Sequence, residues 1–180
     1  VESRREEMLS FWSLVEDGTI PTHVTHNDTK ISNILFDKPT GNVLCAIDLD
    51  TVMSSTSLND FGDAIRFAAN FVEEDCRDYE KVGVNLDVFR AFAEGFLSKT
   101  AATMTEKEVE TLALSSFVLT AELATRFLAD YLDGDLYFNI KSPDHNLVRA
   151  RCQIALARDI HSNLDRMNAC VQACAEKFNN

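Results

Sequence analysis

Apolar residues first recur with a helical period: Met8, Phe11, Trp12 and Val15 fall at i, i+3, i+4 and i+7. Arg4, Arg5, Glu6 and Glu7 take the polar side, and Asp17-Gly18 ends the pattern before Pro21 opens an extended stretch. The pattern then shortens. His23-Val24-Thr25, Asn33 to Asp37 and Val43 to Ile47 read as strands, and Lys38-Pro39-Thr40-Gly41-Asn42 between the last two is turn chemistry. This predicts a polar loop followed by one β-hairpin ending at Asp48. Beyond residue 60 the period is helical again. Ala64 to Phe71 forms one apolar face, and Asn85 is placed to cap a helix through Phe89, Phe92, Ala93 and Phe96. Thr105-x-x-Glu108 is a capping box for a long helix toward Tyr131, stopped by Gly134. Ser142-Pro143 predicts the start of one last helix past Cys170. The expected fold class is mostly α with a small β-hairpin.

Composition narrows the class further. In a chain of 180 residues, 46% hydrophobic content suffices for one core without disulfides and argues against disorder. A net charge of −12 with no basic run disfavours nucleic acid as a partner. No uninterrupted apolar run approaches the roughly 18 residues of a membrane span, so no membrane partner is expected. Five scattered cysteines, an odd number without a CxxC pair, read as reduced thiols of a cytoplasmic protein. The chain starts with Val1, not Met, which leaves a processed or truncated product open.

Chemistry concentrates in His26-Asn27-Asp28-Thr29-Lys30-Ile31-Ser32-Asn33. Its H-x-D-x-x-x-x-N spacing matches the catalytic loop of kinase-type phosphotransferases. Asp28 would orient an attacking hydroxyl and take its proton. The Asn33 amide oxygen would ligate a hard cation, joined by Asp48 just after the second hairpin strand. Asp50 is a further candidate metal ligand, with a role as loop anchor equally open. Lys30 would neutralise charge on the transferring phosphoryl group, and His26 would brace the loop. Asp60-Phe61-Gly62 spells a metal-binding triplet of protein kinases but follows no strand. Asp60 and Asp63 are therefore expected to cap or anchor a helix beginning near Asp63. His23, His145 and His161 have no clustered partners in sequence and read as structural or surface residues.

These stretches resemble the phosphotransferase family of aminoglycoside phosphotransferases and choline kinases, whose fold is protein-kinase-like. The resemblance is strongest to N-acetylhexosamine 1-kinases. It is carried by His26 to Lys30 with Asn33, by Ile47-Asp48-Leu49-Asp50-Thr51-Val52-Met53 and by Asp60-Phe61-Gly62-Asp63-Ala64-Ile65-Arg66. It continues through Glu122 to Leu132. The resemblance implies Asp28 as base, Asn33 and Asp48 as Mg2+ ligands, ATP as phosphoryl donor and a small sugar as acceptor. It puts Arg126, and more weakly Asp130, on the sugar side of the lobe; an i±4 ion pair of Arg126 with Glu122 or Asp130 is equally open.

Such kinases also carry an amino-terminal lobe with a glycine-containing loop over the phosphates. Here the six glycines contain no G-x-G, and 25 residues before His26 are too few for that lobe. Residues 1–180 are therefore expected to be the carboxy-terminal, catalytic-loop lobe, with the nucleotide lobe absent from this chain and the fragment inactive by itself. Phosphorylation of an N-acetylhexosamine at its anomeric hydroxyl is the leading expectation. Alternatives are another small alcohol (an aminoglycoside, choline or homoserine) and a non-catalytic helical interaction module of kinase-like descent.

Overall fold

The computed structural model describes residues 2–178. Helix α1 (Arg5–Glu16) buries Phe11 and packs Met8, Trp12 and Val15 against the core, as its stripe predicts. Its end is tied by the Asp17 N–H to the Ser13 carbonyl, and Gly18 turns the chain at φ +79.

Two small antiparallel sheets follow where one hairpin is expected. Strand β2 (Ile34–Phe36) pairs with β3 (Val43–Ala46) as predicted, with a bulge at Leu35/Phe36. Strand β1 (His23–Thr25) pairs instead with β4 (Met53–Ser55). Met53-Ser54-Ser55 has no alternating apolar pattern, so its strand character comes from the partner it meets and not from its own residues.

Helix α2 (Ser57–Ala68) is capped by Thr56, whose hydroxyl accepts the Leu58 N–H. It thus begins well before Asp63 and ends before Phe71, correcting both expected bounds. Asp60-Phe61-Gly62 lies inside it, so Asp60 and Asp63 do not cap its start. Helix α3 (Leu86–Thr100) is capped by Asn85 as expected. Helix α4 (Glu106–Asp133) opens on the predicted capping box and closes on Gly134 at φ +95. The expected last helix is two: α5 (His145–Ser162) and α6 (Leu164–Phe178). Asp144, and not Ser142, stands at the start of α5, and the break falls at Asn163, whose side chain donates to the Asp159 carbonyl.

Helix α4 is long and apolar enough to span a membrane by length and composition. Here it is the central core helix, packed against α2, α5 and α6. Its buried Glu108 completes the capping box and accepts hydrogen bonds from His23 Nε2 (2.8 Å) and Ser57 Oγ (2.9 Å). One carboxylate thereby joins β1, α2 and α4, and gives His23 a structural partner.

Helices α2 and α4 meet closely at Gly62. A Cβ there would lie 2.7 Å from the Ser115 carbonyl oxygen, a backbone atom that cannot rotate away. Gly62→Ala should destabilise the fold by about 1–3 kcal/mol through overpacking. Thermal denaturation reads this as a Tm lowered by several degrees; an unchanged Tm would show that the helices can part without cost.

Candidate active site

The loop between β1 and β2 is shaped by acids on α2. Asp60 receives the backbone N–H groups of His26 (2.9 Å) and Asn27 (2.7 Å), one on each carboxylate oxygen. Asp63 Oδ2 receives the Thr29 N–H at 3.1 Å, and the Thr29 hydroxyl donates to the Asp60 carbonyl at 2.6 Å. Asn27 takes a left-handed turn, φ +62, and its amide nitrogen donates to the Thr51 carbonyl at 3.0 Å. These contacts orient the residue between them, Asp28.

The Asp28 carboxylate is asymmetric. Lys30 Nζ (2.7 Å) and Asn33 Nδ2 (2.9 Å) both donate to Oδ2, which leaves Oδ1 to meet an incoming hydroxyl. Asn33 Nδ2 also donates to the Asp28 carbonyl at 2.9 Å, so the Asn33 amide oxygen is the atom left for a cation. Lys30 therefore sits on the expected base, not apart from it.

The segment after β3 is stitched to the same loop. The Ile47 N–H donates to the Asn33 carbonyl (2.9 Å), His26 Nε2 donates to the Ile47 carbonyl (3.0 Å), and the Thr51 hydroxyl donates to the His26 carbonyl (2.6 Å). His26 thus braces two backbone segments and does not contact Asp28 through its ring. Asp48 follows Ile47 in the left-handed region (φ 62, ψ 60), which carboxylate residues tolerate better than most. Asp48 and Asp50 are both exposed.

Among the described residues no three His, Cys, Asp or Glu side chains form a metal cage. Mg2+ does not need one. It binds through one or two carboxylates and takes its other oxygens from phosphate and water. The amide oxygen of the buried Asn33 and the exposed carboxylates of Asp48 and Asp50 are oxygen donors of the kind that hard, partly hydrated ion takes.

Asp28 and Lys30 line a cleft of 380 Å³ whose far wall is Arg126, Tyr137, Phe138 and Arg149. The Arg126 guanidinium lies 5.7 Å from the Tyr137 ring centre and 5.5 Å from that of Phe138. Among the described residues it has no ion-pair partner, although its charge works against the burial that raises the Glu122 pKa. Tyr137 is 74% exposed, an aromatic face turned to solvent at the rim.

Asp130 is elsewhere. It is buried beneath the rim, where it accepts the backbone N–H groups of Leu136, Tyr137 and Phe138 and the Asn146 amide. Burial works to raise its pKa, but these donors prevail and hold it below the usual carboxylate range. It shapes the loop that carries Tyr137 and has no place at the cleft surface, which corrects its expected substrate contact. His145 and His161 also have structural partners, Asp75 at 3.1 Å and Glu7 at 3.0 Å.

Residues 2–92 match the phosphotransferase enzyme family (APH). The chain belongs to that family. The match takes in the His26–Asn33 loop, both small sheets and α2, and the mostly helical fold is that of a kinase-like carboxy-terminal lobe. Membership makes this a kinase-type phosphotransferase, whose chemistry moves phosphate from ATP to a small-molecule hydroxyl. Its kinase relatives usually employ Mg2+. Asp60 and Asp63 were expected to serve the start of a helix, and their hold on the His26–Thr29 backbone was not foreseen because those partners lie more than 30 residues away. Tyr137 and Phe138 carried no sequence signal at all, since their place depends on Asp130 folding the loop back.

Proposed function

We propose that the protein bearing this chain phosphorylates a neutral sugar, with the anomeric hydroxyl of an N-acetylhexosamine as acceptor. The observation that carries this reading is the cleft's charge. Lys30, Arg66, Arg126 and Arg149 face the carboxylates of Asp28, Asp63 and Glu74, so the lining is one charge positive in a chain of net −12. A cationic aminoglycoside or choline would meet repulsion there. A hexose finds an exposed aromatic face at Tyr137 and the hydrogen-bond donors of Arg126.

Asp28 Oδ1 receives the acceptor's proton while Lys30 and Asn33 hold Oδ2 and fix the carboxylate plane. Lys30, on the same carboxylate, would also neutralise charge on the transferring phosphoryl group. Asn33 with Asp48, and Asp50 beside them, would hold Mg2+, which when bound neutralises charge on the phosphates. Val43 and Leu44 are each 63% exposed on β3, and Phe36 is exposed on β2. Phe36 and Val43, paired across the two strands, supply apolar surface on which a nucleotide-covering lobe of the same protein would dock, and the chain by itself would then be inactive. The five free cysteines accord with a reducing cytoplasm.

The test is an acceptor panel on the complete protein: N-acetylglucosamine, N-acetylgalactosamine, kanamycin, choline and homoserine with ATP and Mg2+. The N-acetylhexosamines should be preferred by kcat/KM. Arg126→Ala should raise KM for the sugar by about 10–100-fold, the worth of hydrogen bonds from a charged donor, with a smaller effect on kcat. Preference for kanamycin or choline, or an Arg126→Ala variant with unchanged KM, would overturn the reading.

A further inference from the structure

Arg66 is 7% exposed, near the end of α2, and it bridges two carboxylates. Its Nε and Nη2 donate to Asp63 Oδ1 at 3.0 and 2.8 Å, and its Nη1 donates to Glu74 Oε1 at 2.6 Å. The other oxygen of Asp63 receives the Thr29 N–H, one residue from Asp28. The other oxygen of Glu74 lies 3.7 Å from Arg149 Nε. Arg149 in turn donates to the Asn139 carbonyl, two residues from Tyr137, and lies over the Phe127 ring at 5.2 Å. An unbroken line of charged contacts thus runs from the rim of the acceptor cleft to the backbone beside the expected base.

We infer that Arg66 is a positioning residue, which holds Asp63 against the Thr29 amide and thereby couples the acceptor wall to the placement of Asp28. The inference rests on the Asp28 reading above but concerns a residue that does not touch the reacting atoms. The physical argument is one of geometry. Only a guanidinium is planar and forked, so one side chain satisfies both carboxylates at once; an ammonium keeps the charge but is a point donor on a flexible stem. Burial alone would lower the Arg66 pKa, but Asp63 and Glu74 outweigh it and raise it, so the guanidinium stays charged. Without Arg66, Asp63 would turn toward water and release the Thr29 N–H. The Asp60 clamp on His26 and Asn27 is separate and would persist.

The experiment compares Arg66→Lys with the wild type by amide hydrogen exchange and by steady-state kinetics of the complete protein. Exchange at Thr29 should accelerate while exchange at Asn27, held by Asp60, stays as in the wild type. The same variant should lose at least about tenfold in kcat with KM for ATP unchanged, because a displaced base costs rate more than binding. Unchanged Thr29 exchange, or an undiminished kcat in a folded variant, would overturn the inference. If Arg66→Lys fails to fold, Glu74→Gln weakens the bridge at its more exposed end and should still accelerate Thr29 exchange; no change there would equally overturn it. A wild type that transfers phosphate to no hydroxyl, yet shows the Thr29-specific loss on Arg66→Lys, would overturn the Asp28 reading and leave the bridge standing.

Discussion

Asp28→Asn in the complete protein should lower kcat for phosphate transfer by about 10²–10⁴-fold, the usual worth of a positioned general base, with ATP affinity nearly unchanged. The carboxylate offers Oδ2 to Lys30 and Asn33 and keeps Oδ1 for the acceptor. An asparagine can preserve the first function through its amide oxygen. Its other atom is then an NH2 group, which donates where a proton must be accepted. The substitution therefore removes the proton acceptor and leaves the loop's backbone anchors in place. Initial-rate kinetics with a nucleotide-binding titration checks the split. Near-normal kcat would exclude Asp28 as the base; lost ATP binding would show that the loop had collapsed.

The second large effect is expected at a residue that touches no substrate. Asp60→Asn should destabilise the protein by about 3 kcal/mol and lower kcat by about 10²-fold. Each Asp60 oxygen receives a backbone N–H, from His26 and from Asn27. An amide can match only one of them and aims an N–H at the other, leaving a partly buried donor unpaired beside the left-handed Asn27. Urea denaturation measures the stability loss, and kcat measured in the folded range measures the misplacement of Asp28. If stability falls while kcat in the surviving folded protein is unchanged, the clamp serves the fold alone. If Asp60 were instead a metal ligand, the variant would show a raised Mg2+ requirement at unchanged stability.

Both predictions bear on how much could be read from the chain unaided. The helix ends governed by contacts three or four residues apart were legible: the Thr105–Glu108 capping box, the Asn85 cap and the Gly134 stop all form as written. The candidate catalytic loop was also visible, because H-x-D-x-x-x-x-N is a local spacing that needs no distant partner to be seen. The role of Asp60 was legible only in part: the metal reading of its triplet could be set aside, but the backbone groups it holds lie 34 and 33 residues away. Asp130 misled in the opposite way. It sits four residues from Arg126 on α4 and so looks like its neighbour in function, but the loop folding back behind α4 takes up its carboxylate.

By itself, the sequence determined the class of chemistry, pointed to Asp28 and Asn33 as candidate base and amide ligand, and marked the mainly helical character of the chain beyond its short strands. These follow from local periodicity, capping and motif spacing, which act over a few residues. Tertiary structure alone decided the pairing of β1 with β4, the roles of Asp60 and Asp63 as loop anchors, the Arg66 bridge and the aromatic wall beside Arg126. Each of those depends on a hydrogen bond or ring contact between segments far apart in the chain. Such contacts exist only once α4 has gathered the other helices around it, so no local pattern announces them.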